Sequence, residues 1–103
     1  MDQSEKRLLT AGGKLWEKEG RRRVYFNGLP ELCGLEVHRY NTGSISSAYL
    51  DGEKLSNTKA ARLVGRLEHC KLWFDLNSNE WRHQGLEEAE FARCVRAIEE
   101  AAG

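Results

Sequence analysis

Apolar and polar residues alternate along several short segments of the chain, and this pattern predicts β-strands. Residues 14–27 predict a hairpin that turns at Glu19-Gly20, since its second half is rich in β-branched and aromatic residues. In the register that this turn imposes, Trp16 faces Arg23 across the hairpin. The alternation returns in later stretches separated by turn signals, which predict strands over residues 35–40, 45–50, 71–76 and 80–83 and a short extra strand over residues 53–55.

A helical period replaces the alternation in two places. Apolar residues recur at i, i+3, i+4 and i+7 from Ala60 to Leu67, and Ser56 is suited to cap this helix, which is expected to end near residue 70. A second helix is predicted from about Leu86 to Ala102, with three glutamates in its first turn, where the helix dipole favours anions. Residues 2–11 are compatible with a short helical lead-in, and residues 28–34 predict a loop.

This order of elements predicts an α+β fold, an antiparallel sheet of hairpins with two main helices packed on one face. The length of 103 residues suits a single domain over residues 1–103, and no repeat, low-complexity tract or boundary divides it. The apolar stripes of the predicted elements meet in the expected core, which comprises Leu63, Val64, Leu67, Phe74, Phe91, Val95 and Ile98.

Charge is balanced in total but unevenly distributed. Sixteen basic and 16 acidic residues give zero net charge, which argues against a strongly basic protein dedicated to nucleic acid. Residues 54–71 nevertheless contain five basic residues against one acidic, and residues 86–103 contain two basic against five acidic. The chain therefore has a basic middle and an acidic end.

The N-terminal residues lack the pattern of an export signal, and no window approaches the roughly 20 apolar residues that span a bilayer. We therefore expect a cytoplasmic protein without membrane contact. An odd set of three cysteines, Cys33, Cys70 and Cys94, contains no C-x-x-C pair. Cysteines of this kind are expected to be small buried hydrophobic residues in a reducing compartment.

No arrangement of residues indicates catalysis or a bound cofactor. Cysteine and histidine are not spaced as in structural zinc sites, so no metal ligand is predicted. No catalytic triad, carboxylate pair or phosphate loop is recognisable, and therefore no catalytic residue or cofactor is predicted either. A small hydrolase is kept as a third hypothesis because acids, bases and hydroxyls are present.

Two basic clusters carry the leading hypothesis. The first hairpin contains an arginine triplet near two aromatic residues, and the first long helix carries a basic stripe opposite its apolar face. Arginine suits phosphates, and aromatic rings stack on bases. We therefore predict a small non-enzymatic binding protein that contacts nucleic acid or a nucleic-acid-binding protein. Its predicted binding residues are Trp16, Arg21, Arg22, Arg23, Tyr25, Lys59, Arg62 and Arg66.

The second hypothesis is a protein–protein inhibitor or adaptor that uses the acidic last helix or exposed tryptophans. Trp73 alternates with Leu72 and Phe74, so it is exposed unless the N-terminal segment covers its sheet face. Separation of Arg23 and Arg62 onto opposite faces of the domain would favour this adaptor over the nucleic-acid hypothesis. The sequence leaves the oligomeric state and the partner open.

Overall fold

A computed structural model describes residues 3–103 and confirms the α+β class. Of the helices in that range, none combines the length and apolarity that crossing a bilayer requires. In chain order the elements are α1 (Gln3–Thr10), β1 (Lys14–Lys18), β2 (Arg21–Phe26), α2 (Leu29–Leu32), β3 (Leu35–Arg39), β4 (Ile45–Leu50), β5 (Glu53–Lys54), α3 (Asn57–Glu68), β6 (Lys71–Asp75), β7 (Glu80–Gln84) and α4 (Glu88–Ala102).

The strands form two antiparallel sheets rather than the single sheet that the sequence predicts. The first and last hairpins join through β2 and β6 into a four-stranded sheet of order β1-β2-β6-β7. The middle hairpin and β5 form a separate three-stranded sheet of order β3-β4-β5. The division arises because β2 finds its second partner in β6, which leaves the intervening strands to pair among themselves.

The first hairpin has the predicted register. Trp16 lies opposite Arg23, and Glu17 lies opposite Arg22. The turn residues Glu19 and Gly20 have φ of 53° and 80°, as a two-residue turn with positive φ at both central positions requires. Local turn chemistry therefore fixes which side chains share a face of this hairpin.

The segment 28–34 is not a loop throughout, as predicted, because it contains the single helical turn α2. Gly28 precedes it with a left-handed φ of 70°, and Pro30 lies in its first turn, where the missing amide hydrogen costs nothing. Leu29 and Pro30 are buried. One turn is too short to produce a visible helical period, so the sequence pattern gave no sign of it.

The two long helices confirm the predicted ones with small shifts in their ends. Ser56 caps α3 by accepting a hydrogen bond from the Lys59 amide at 3.3 Å. Helix α4 begins at Glu88 rather than Leu86, because Glu87 occupies the N-cap and forms a reciprocal capping box with Glu90.

The core lies between the helices and the inner sides of the sheets. Four of the seven predicted core residues are buried: Val64, Leu67, Phe74 and Ile98. The other three, Leu63, Phe91 and Val95, are only half-buried. Helix α4 turns Cys94 and Ile98 inward, one turn apart, and this orientation leaves Phe91 and Val95 on its flank. Cys33, Cys70 and Cys94 are free and buried, as predicted for small hydrophobic residues.

Two glycine substitutions test how the start of the four-stranded sheet packs. A methyl group on Gly13 would overlap Cγ1 of Val24 and lie 2.9 Å from Cζ of Phe26. We expect Gly13→Ala to destabilise the domain by about 2 kcal/mol through overpacking. Gly65 in α3 has no heavy atom within 4 Å of such a methyl group. Gly65→Ala should therefore stabilise the domain by up to about 1 kcal/mol, as helix propensity dictates.

Urea unfolding of both glycine variants measures the two effects. A Gly13→Ala variant as stable as the wild type would contradict the close approach of this residue to β2.

Candidate binding surface

The four-stranded sheet has two chemically different faces. Alternate residues such as Val24, Leu72 and Phe74 point to the inner face and are buried. The residues that alternate with these along each strand point to the opposite face, which we call the outer sheet face. They are Lys14, Trp16, Lys18, Arg21, Arg23, Tyr25, Lys71, Trp73, Asp75, Glu80, Arg82 and Gln84.

The outer sheet face is open to solvent. Each of its twelve residues is exposed or half-buried. Helix α1 packs on the inner face instead, where Leu8 and Glu5 are buried and Glu5 binds Arg22 of β2. The described N-terminal residues therefore do not cover the face that carries Trp73.

An arginine and three aromatic rings form one packed unit at the centre of the outer sheet face. The guanidinium carbon of Arg23 lies 5.2 Å from the ring centroid of Trp16 and 5.3 Å from that of Trp73. Its Nη1 donates a hydrogen bond of 3.1 Å to the Tyr25 hydroxyl. The Tyr25 ring centroid lies 6.3 Å from that of Trp16 and 5.6 Å from that of Trp73. We call this unit the aromatic cluster; its cation–π contacts hold the rings in fixed positions.

Basic residues surround the aromatic cluster. The outer sheet face carries six cations against the two carboxylates of Asp75 and Glu80. Arg82 is paired with Glu80 at 2.8 Å. The other four surrounding cations form no ion pair with residues 3–103, and they are Lys14, Lys18, Arg21 and Lys71. The face therefore presents positive charge that is free to meet an anionic partner.

Arg22, although predicted as a binding residue, lies on the inner face. It forms ion pairs with Glu17, at 3.1 Å, and with the buried Glu5. The hydrogen bonds that its guanidinium donates to these carboxylates, the one to Glu17 first and then the one to Glu5, raise the pKa of Arg22. The structure therefore assigns Arg22 to holding α1 against the sheet.

The predicted stripe on α3 also lies apart from the aromatic cluster. Lys59, Arg62 and Arg66 line a shallow depression of about 230 Å³ beside Leu63. Arg66 forms a bidentate ion pair with Glu90 of α4, and this pair lowers the pKa of Glu90. Helix α4 packs on the inner side of the four-stranded sheet, where the ring centroid of Phe91 lies 4.2 Å from that of His83. Arg66, and with it Arg62 one turn earlier on the same depression, therefore lies on the other side of that sheet from Arg23, and the two predicted basic clusters do not form one surface.

No family, curated protein or solved structure matches this chain. Its own geometry must therefore indicate the function. The structure joins Trp16, Arg21, Arg23 and Tyr25 of the predicted binding set, and it adds residues that this set does not contain. These additions are Lys14, Lys18, Lys71, Trp73 and Arg82. Alternation within residues 71–76 placed Trp73 on the outer side, but only the pairing of β2 with β6 brings it to Tyr25.

The side chains between residues 3 and 103 include no group of three or more His, Cys, Asp or Glu that could hold a metal ion. The outer sheet face combines aromatic rings with unpaired cations. This combination suits the binding of an extended anion that also has flat apolar groups.

Proposed function

We propose that this protein is a small, non-enzymatic, cytoplasmic binding protein that holds single-stranded nucleic acid on its outer sheet face. One observation carries the proposal: the aromatic cluster, which contains Arg23, lies on an uncovered sheet face and is surrounded by five further cations and two carboxylates. Aromatic rings accept stacked bases of any sequence, and cations bind the phosphates between them.

The dimensions favour a single strand over a duplex. Four strands about 4.8 Å apart make a platform about 14 Å wide, which accommodates about two or three splayed bases. Bases inside a duplex are stacked on one another and cannot reach Trp16 or Trp73. In this arrangement Lys14, Lys18 and Arg21 contact phosphates along one edge of the cluster, and Lys71 contacts them along the other.

Because Arg23 and Arg66 lie apart, the two basic clusters cannot bind one partner as a single surface. This separation, taken alone, favours an adaptor. Strands β6 and β7 support nucleic acid as the partner, because they bring Trp73, Lys71 and Arg82 to the same face as Arg23. A protein partner with an acidic groove is the competing occupant. It would use the cations but would not need flat groups to stack on the rings.

Two charge reversals test the proposal with equal changes in net charge. Arg21 and Arg62 are both exposed and form no ion pair with the described residues. We expect Arg21→Glu to weaken binding of a fluorescent single-stranded oligonucleotide about tenfold and to flatten its salt dependence. Arg62→Glu should change the dissociation constant by less than about twofold, since α3 lies outside the outer sheet face. Fluorescence anisotropy across a salt series measures both quantities.

Three outcomes would contradict the proposal. Equal losses in the two variants would show a non-specific charge effect. A larger loss in Arg62→Glu would move the site to α3. An absence of oligonucleotide binding by the wild type at low salt would leave the adaptor hypothesis.

A further inference from the structure

Helix α4 carries a stripe of residues that the rest of the described chain leaves exposed or only half-buried. Glu88, Ala92 and Arg96 follow one another at intervals of four residues and therefore share one side of the helix. Phe91 and Val95 flank them, and Trp81 of β7 completes a shallow depression of about 670 Å³. We call the five residues of α4 that line it the α4 stripe: Glu88, Phe91, Ala92, Val95 and Arg96.

The apolar part of the α4 stripe is more exposed than its sequence predicts. Phe91 and Val95 belong to the apolar period of α4, yet both are only half-buried, and Ala92 is exposed. Trp81 beside them is half-buried as well. A contiguous apolar patch with charged ends is typical of a protein–protein contact.

Three of the six charged residues of α4 are paired within the described chain, and three are not. Glu90, Arg93 and Glu99 each bind a partner elsewhere in the same chain. Glu88, Arg96 and Glu100 form no ion pair with any residue between 3 and 103, and of these Glu88 and Arg96 mark the two ends of the stripe. They are eight residues apart on the helix, or about 12 Å along its axis, too far to bind each other.

We infer that the α4 stripe is the interface between two copies of this chain, whose α4 helices pack antiparallel about a two-fold axis near Ala92. In this arrangement Glu88 lies opposite Arg96 of the partner subunit, and the symmetry repeats the pair. Parallel helices would instead place like charges together at both ends. The small side chains of Ala89 and Ala92 allow the helix backbones to approach closely, so that Phe91 and Val95 are covered.

The patch is small, so the dimer is weak and its population depends on protein concentration. Charge complementarity identifies the occupant: the stripe carries one free acid and one free base at equal distances from Ala92, which makes it complementary to itself. The dimer does not depend on nucleic-acid binding, because the aromatic cluster and Arg21 lie on the other side of the four-stranded sheet from α4, and only Glu80 at the sheet edge borders both surfaces.

Sedimentation equilibrium of the full chain, at concentrations up to about 1 mM, tests the dimer. The wild type should show a monomer–dimer equilibrium. Glu88→Arg and Arg96→Glu should each raise the dissociation constant at least about tenfold, since each variant places like charges opposite each other twice. An equimolar mixture of the two variants should form a heterodimer as tight as the wild-type dimer, because all facing charges are then opposite.

Ala92→Glu and Ala61→Glu form a matched pair, because both alanines are exposed on long helices. The first should abolish the dimer, and the second, on α3, should leave it unchanged. A wild type that is monomeric throughout the concentration range would overturn the inference. A dimer that tolerates both charge reversals, or a mixture that fails to restore association, would overturn it too. The Arg21→Glu variant should dimerise normally, so failure of one proposal leaves the other standing.

Discussion

Replacement of both Trp16 and Trp73 by alanine is expected to weaken binding of a single-stranded oligonucleotide at least about 100-fold. Each base that stacks on an aromatic ring contributes about 1–3 kcal/mol, and about 1.4 kcal/mol corresponds to a factor of ten. The two rings flank Arg23 at nearly equal distances, so the variant removes both stacking planes beside it. Fluorescence anisotropy at one fixed salt concentration measures the loss.

The salt dependence distinguishes this variant from a charge reversal. The cations of the outer sheet face remain in the double alanine variant, so the slope of affinity against salt should stay at the wild-type value. Tyr40→Ala is a matched control, because Tyr40 is an aromatic residue that is 62% exposed and lies outside the four-stranded sheet. Binding should be unchanged in this control. A loss below about threefold in the double variant would show that the face attracts its partner by charge alone and would contradict stacking.

Replacement of Arg22 by methionine is expected to destabilise the domain, and by more than replacement of the exposed Arg21 does. Arg22 binds Glu5, whose side chain is only 1% exposed, so the variant leaves a buried carboxylate without its partner. Part of the guanidinium is exposed to solvent, so solvent screening makes the cost smaller than for a fully buried pair. Urea unfolding of the wild type and the variant measures this difference in the free energy of unfolding.

A second substitution tests the assigned cause. Glu5→Leu combined with Arg22→Met removes both charges, and stability should return to within about 1 kcal/mol of the wild type. Arg21→Met is the control at the neighbouring exposed position and should cost less than about 0.5 kcal/mol. If Arg22→Met costs no more than this control, the ion pair does not hold α1 on the inner face. That result would weaken the argument that the outer sheet face is left uncovered.

Features determined by neighbouring residues could be predicted from the sequence. The Glu19-Gly20 turn fixes the register of the first hairpin, and this register places Trp16 opposite Arg23. Ser56 and the apolar period that follows it define α3. In both cases the information lies within one turn or one helix, where periodicity and turn chemistry act directly.

Features determined by distant residues could not be predicted in this way. Tyr25 and Trp73 become neighbours only because β2 pairs with β6, and nothing local specifies that pairing. The sequence likewise gives no sign that Arg22 is bound by Glu5 across the α1–β2 contact. The sequence also predicted Phe91 as a core residue, whereas it is half-buried. An apolar period shows which side of a helix is apolar, but it does not show how much of that side another element covers.

The three tryptophans can report separately on the proposed binding of nucleic acid to the outer sheet face. Trp16 and Trp73 lie on the outer sheet face, whereas Trp81 packs against Phe26 and Phe74 on the inner face. The most direct measurement is a nitrogen-15 correlation spectrum of the tryptophan indole groups during titration with a single-stranded oligonucleotide at constant protein concentration. We predict that the Trp16 and Trp73 resonances shift together while the Trp81 resonance stays in place. A shift confined to Trp81, or spectra unchanged at saturating oligonucleotide, would contradict the account.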